Sequence, residues 1–132
     1  MKGLDTSILL GLLHGAPGAR EWLRRLRGVE VATTEANLLE LAIITAEATD
    51  RVRKTRRDAL SKLRRRITVL PIDHRSVEDC ANRLGRAALG ASVQVLAMMG
   101  ALEANGCDEL FTLDPPSALG KWTLRVTRIQ FA

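Results

Sequence analysis

Short apolar runs alternate along this chain with longer stretches of helical spacing. Residues 2–5 read as a buried strand, and the apolar run "SILLGLL" behind them reads as a helix that Thr6 or Ser7 can cap. In "APGAREWLRRLRG", Pro17 stands near a helix start, Gly28 marks its end, and Trp22, Leu23 and Leu26 share one side. "VEVATT" is a second short strand. Thr34 can then cap a helix through "EANLLELAIITAEAT", in which Leu38, Leu41, Ala42 and Thr45 follow helical spacing. "DRVRKTRRDALSKLRRR" predicts a strongly basic helix anchored by Val52, Leu60 and Leu63. "ITVLPI" is a third strand, ended by Pro71, and Ser76 opens the helix "SVEDCANRLGRAALG", which stops around Gly90. "ASVQVLAMMGALEANG" is apolar nearly all round and predicts a central helix closed by Gly106. "DELFTLD" is a fourth strand, and "TLRVTRIQF" alternates like a final edge strand.

Strands separated by helices form a parallel sheet with both faces covered. The expectation is one α/β domain over residues 1–132, three layers thick, with a central, mostly parallel sheet of about five strands. No internal repeat or linker interrupts it.

Composition narrows the class. The chain has 132 residues, 46% of them hydrophobic and 27% charged, which is the balance of a globular protein with one core. No apolar run reaches the roughly 18–20 residues that span a bilayer, and Asp5 interrupts the amino-terminal segment too early for a secretory leader, so the expected location is the cytoplasm. Cys80 and Cys107 lack a C-x-x-C partner or neighbouring histidines and read as buried free thiols. The formal charge of +5 points to an anionic partner only weakly. Apolar helices near residues 8–26 and 36–45 carry more apolar surface than one sheet face needs, which predicts a homodimer.

The acids change the picture more. Sites of open parallel sheets lie beyond the carboxyl ends of the strands. Asp5 ends the first strand and Asp114 the fourth, while Glu40 lies about one and a half turns into the helix that leaves the second. Three carboxylates therefore converge on one edge, where a cation would relieve their repulsion. Oxygen donors of this kind suit Mg²⁺ or Mn²⁺, which can activate a water against a phosphodiester. Taken singly, Asp5 can be a helix cap and Asp114 a turn former. Glu35 competes with Glu40, but its first-turn position suits a role with the helix dipole, and Glu40 is preferred. In the basic helix, Arg53, Arg56, Arg57, Arg64 and Arg65 can follow an RNA backbone, or simply form a solvated face. His14 and His74 have no catalytic neighbours, and no glycine-rich phosphate loop follows the first strand.

The blocks "LDTSILL", "VATTEANLLEL" and "ALEANGCDELFTLD", in this order, resemble the PIN domain, the fold of metal-dependent ribonucleases that includes VapC-type toxins. The resemblance implies that Asp5, Glu40 and Asp114 are metal-site acids, with Thr112 in support and Ser7 as a minor helper. It also implies RNA as substrate, an antitoxin protein as partner, and a dimer. One departure stands out. The family usually places a further Asp at the start of the helix before "GCDELFTLD", where Val93, Gln94 or Val95 stands here, and no acid lies between Asp79 and Glu103. Asp108 enters its strand at the opposite end and is no substitute. The implied activity is a weakened endoribonuclease; the alternative is a noncatalytic RNA- or protein-binding module on the same scaffold.

Overall fold

The computed structural model describes residues 1–46, 49–84, 92–114 and 124–131. In chain order the elements are β1 (Lys2–Leu4), α1 (Thr6–Leu13), α2 (Ala19–Arg25), β2 (Val31–Thr34), α3 (Glu35–Thr45), α4 (Asp50–Arg64), β3 (Thr68–Leu70), α5 (His74–Leu84), α6 (Val93–Ala104), β4 (Glu109–Thr112) and β5 (Arg125–Arg128). The strands form one sheet in the order β3-β2-β1-β4-β5, and all four pairings are parallel. The α/β architecture expected from the alternation of strands and helices is the one present, with the sheet wholly rather than mostly parallel.

The two-residue period of the strands separates two cores. Ala32, Leu70 and Leu110 point to the α6 side, where they pack with Met98, Met99, Ala101, Leu102, Cys107 and Leu124. Leu4, Val31 and Phe111 point to the other side, toward Ile8, Leu9, Leu38 and Leu41. Trp22 closes this second layer edge-on against Phe111 and Phe131, at centroid distances of 5.4 and 5.7 Å. Gly100 lets α5 and α6 cross closely: a Cβ there would stand 2.5 Å from the Ser76 carbonyl oxygen.

Several local expectations need correction. Of the caps the sequence allows for α1, the one present is not Thr6 or Ser7 but Asp5, whose carboxylate accepts the Ile8 amide at 3.2 Å. A charged acceptor at that position satisfies an otherwise unpaired amide and meets the positive end of the helix dipole. The helix expected to open at Ser76 begins at His74, because Asp73 accepts both the backbone amide and the hydroxyl of Ser76 at 3.1 Å. Its expected stop near Gly90 lies outside the described residues. Val52 does not anchor the basic helix: it is exposed, and only Leu60 and Leu63 pack against the core. Thr34 caps α3 as expected. Cys107 is buried and Cys80 half-buried, and both are free thiols. At the amino edge of the sheet, Glu109 is buried and pairs with Lys2 of β1 (3.4 Å) and Arg125 of β5 (2.9 Å), tying three parallel strands together. Among the described residues no helix is long and apolar enough to cross a membrane.

Candidate functional site

The parallel sheet directs its carboxyl ends to one edge, and a cavity of about 380 Å³ opens there. Asp5, Ser7, Glu40, Gln94, Thr112 and Asp114 line it, with Thr6, Asn37 and Met98 beside them. Asp5 arrives directly from β1, Glu40 from the second turn of α3, Gln94 from the first turn of α6, and Asp114 from the residues just past β4. Segments far apart in sequence thus meet because the strands that deliver them are neighbours.

Two hydroxyls hold the Asp5 side of the cavity. Ser7 Oγ donates to Asp5 Oδ1 at 2.6 Å and accepts the Leu113 amide at 2.9 Å. Thr112 also hydrogen-bonds the Asp5 carboxylate, and its Oγ1 accepts the Asp114 amide at 3.1 Å. The same two hydroxyls therefore fix Asp5 and the turn that carries Asp114. Burial holds the Asp5 carboxyl above its ordinary pKa; the Ser7, Thr112 and Ile8 hydrogen bonds oppose this, and the nearby Asp114 charge adds to it. Glu40 is also raised, first by burial and then by the charges of Asp5 and Asp114, against a hydrogen bond from Thr6. These carboxylates sense one another, and a cation between them would reverse both shifts.

The geometry separates Glu40 from Glu35. Glu40 lines the acidic cavity, whereas Glu35 faces another one with Arg64, Arg65 and Arg66. It also separates the three positions at the start of α6. Val93 is 81% exposed and outside the cavity, Val95 offers only apolar surface, and Gln94 is the polar lining residue. Asp108 sits at the opposite edge on Lys2, at 3.0 Å, as the strand direction requires. The arginines of α4 do not line the acidic cavity. Arg53, Arg56 and Arg57 flank an apolar groove floored by Leu13, Leu41 and Leu60, and Arg64 and Arg65 belong to the cavity beside Glu35.

Asn37 has no counterpart in the sequence reading, and Thr6 figures there only as a possible helix cap. Asn37 is 1% exposed, and its amide nitrogen donates to Thr6 Oγ1 at 3.0 Å and to Met98 Sδ at 3.2 Å. The only signal in the sequence is a polar residue at a helix position where the period calls for an apolar one.

The PIN domain family matches the chain over residues 3–96, well over half its length. The chain belongs to the PIN domain family. Solved structures agree over nearly the whole PIN domain. VapBC2 from Rickettsia felis, crystallised with a fragment of promoter DNA, superposes with a TM-score of 0.80 at 13% identity, covering 98% of each chain. VapBC-5 from Mycobacterium tuberculosis, a toxin–antitoxin system, gives 0.65 at 26% identity over 97% of this chain and 98% of that one. VapC20 from the same organism, described as a toxin that cleaves the sarcin–ricin loop, gives 0.64 at 17% identity over 95% and 99%. Comparison with curated proteins yields no significant match.

PIN domains are typically metal-dependent. Among the described residues of this one, no three His, Cys, Asp or Glu side chains are gathered closely enough to hold a metal unaided. The charged donors in the cavity are all carboxylate oxygens. That set fits a small hard cation which keeps several waters and takes only one or two carboxylates, rather than a closed protein cage.

Proposed function

We propose that this PIN domain is a Mg²⁺- or Mn²⁺-dependent endoribonuclease, acting in the cytoplasm as the toxin of a toxin–antitoxin pair. The observation that carries the proposal is the convergence of Asp5, Glu40 and Asp114, from three separate segments, on a single cavity at the carboxyl edge of the sheet. The likeness to VapBC structures supports the toxin reading, and the partner it entails is an antitoxin protein.

Asp5, Glu40 and Asp114 would hold the cation, no more than two of them directly and the rest through its waters, with RNA phosphate oxygens completing its shell. Bound there, the ion supplies charge neutralisation to the scissile phosphate and lowers the pKa of a water. The chain does the rest by positioning. Ser7 and Thr112 orient Asp5 and brace the Asp114 turn. Glu40 lines the same cavity from α3 and adds the third negative charge that the cation would neutralise. Gln94 contributes an amide oxygen without charge, so the cavity carries three carboxylates where the family usually has a further Asp. Two divalent ions side by side would be poorly neutralised, and one weakly held ion is the expected stoichiometry.

Gln94 also favours a second reading, a noncatalytic RNA- or protein-binding module. Calorimetric Mn²⁺ titration beside an RNA cleavage assay, on wild type, Asp5→Asn and Gln94→Asp, decides between them. The nuclease reading expects weak binding and slow, metal-dependent cleavage in wild type, neither in Asp5→Asn, and a gain in both in Gln94→Asp. Silence in wild type and Gln94→Asp alike leaves the binding module.

A further inference from the structure

We infer that Asn37 and Thr6 are positioning residues for Glu40, forming a one-way hydrogen-bond relay that aims its carboxylate into the cavity. The inference rests on the nuclease reading above and concerns residues that neither the acidic triad nor its hydroxyl helpers include.

The direction of the relay follows from counting protons. Thr34 Oγ1 accepts the Asn37 backbone amide at 3.3 Å, so its single proton is free to go to Asn37 Oδ1, 2.6 Å away. With its oxygen so used, the Asn37 side chain presents Nδ2, which donates to Thr6 Oγ1 at 3.0 Å and to Met98 Sδ at 3.2 Å. Turning the amide over would set its oxygen against the sulfur and its nitrogen against a hydroxyl that already has a proton to give. Thr6 receives the Asn37 donor and therefore keeps its own proton for an acceptor on the cavity side, where Glu40 lines the wall with it and has its burial-raised pKa lowered by the Thr6 hydroxyl. Thr34, Asn37 and Thr6 are all buried, at 0%, 1% and 6% exposure, so water does not compete for these bonds. Two of the anchors are themselves fixed. Thr34 caps α3, and Thr6 stands in the first turn of α1, next to Asp5. The relay thus sets the Glu40 carboxylate relative to Asp5 by joining the starts of the two helices that carry them.

A group that orients a metal-binding carboxylate typically matters by roughly 10- to 100-fold in affinity or activity. The test compares wild type, Thr6→Val, Thr6→Ser and Asn37→Leu by calorimetric Mn²⁺ titration, cleavage kinetics on one RNA, and thermal melting without metal. Thr6→Val keeps the shape and removes the proton. It is expected to weaken Mn²⁺ binding roughly tenfold or more and to lower kcat, with KM for RNA unchanged. Thr6→Ser restores the hydroxyl and is expected to recover both. Asn37→Leu repeats the test should Thr6→Val fail to fold. If folded Thr6→Val or Asn37→Leu binds Mn²⁺ as wild type does, or if Thr6→Ser fails to recover binding, the relay is structural only and the inference falls. Wild type without Mn²⁺ binding or cleavage would instead overturn the nuclease reading, and the relay's purpose with it.

Discussion

Asp5 carries two duties that a single substitution separates. It caps α1 through its oxygen and supplies charge to the cavity. Asn is an equally good cap, so Asp5→Asn keeps the first duty and loses the second. The folded protein holds both Asp5 and Glu40 above their ordinary pKa values, chiefly through burial. A carboxyl raised on folding contributes stability that is complete below its unfolded pKa, about 4, and is lost as pH rises through the folded value. In chelator, the melting temperature of Asp5→Asn is therefore expected to gain on wild type as pH rises from 4 to 7; a gain in the opposite direction would contradict the burial argument. Mn²⁺ is expected to stabilise wild type and leave Asp5→Asn unchanged. The acids could be read from sequence because strand ends and one count along a helix place them. Gln94 could be narrowed only to three neighbours, since the choice depends on where α6 starts, and that is set by the Ser92 hydroxyl accepting the Val95 amide at 3.2 Å. Asn37 and Thr6 stayed illegible because a contact across 31 residues leaves no local pattern.

At the scale of elements, α4 is the case where pattern and use diverge. Its charge run correctly indicates a solvent-facing helix, none of whose residues is buried. The run does not reveal that its arginines are spread over three cavities, none of them the acidic one. If α4 nonetheless supplies RNA affinity, reversing Arg56, Arg57, Arg64 and Arg65 is expected to weaken binding across sequences and to flatten its salt dependence by about 0.7 in log–log slope per lost phosphate contact on single-stranded RNA. An unchanged slope removes α4 from the RNA interface. The α5–α6 crossing gives a cleaner stability test. Gly100→Ala forces a Cβ onto the Ser76 carbonyl, a backbone atom with little room to move, and is expected to cost about 1–3 kcal/mol by urea unfolding. The close approach was not visible in sequence, where Gly100 is one small residue among several in an apolar helix.

For the whole molecule, the homodimer expectation has moved to a smaller surface. The apolar residues of 8–26 are largely spent on the core, where Ile8, Leu9 and Leu23 are buried and Trp22 packs on Phe111. What remains is the outer side of α3, with Leu39 at 64% and Ile43 at 65% exposure, one helical turn apart. We expect this stripe to be covered by a second copy. Light scattering is expected to give twice the 14.5 kDa chain mass for wild type and a single chain for Leu39→Glu with Ile43→Glu. A monomer for both would leave the stripe to another partner.

The strand order has a consequence for synthesis. β1 is made first, yet one of its two neighbours in the sheet is β4, whose residues lie more than a hundred positions later. While the ribosome is still translating, β1 can pair with β2 but keeps one side open, and Asp114 does not yet exist. The pocket is thus completed only once β4 and the residues that follow it have been made. A nonsense codon anywhere before Glu109 gives a product with a bare strand edge, a substrate for aggregation and proteolysis rather than a feebler copy of the whole.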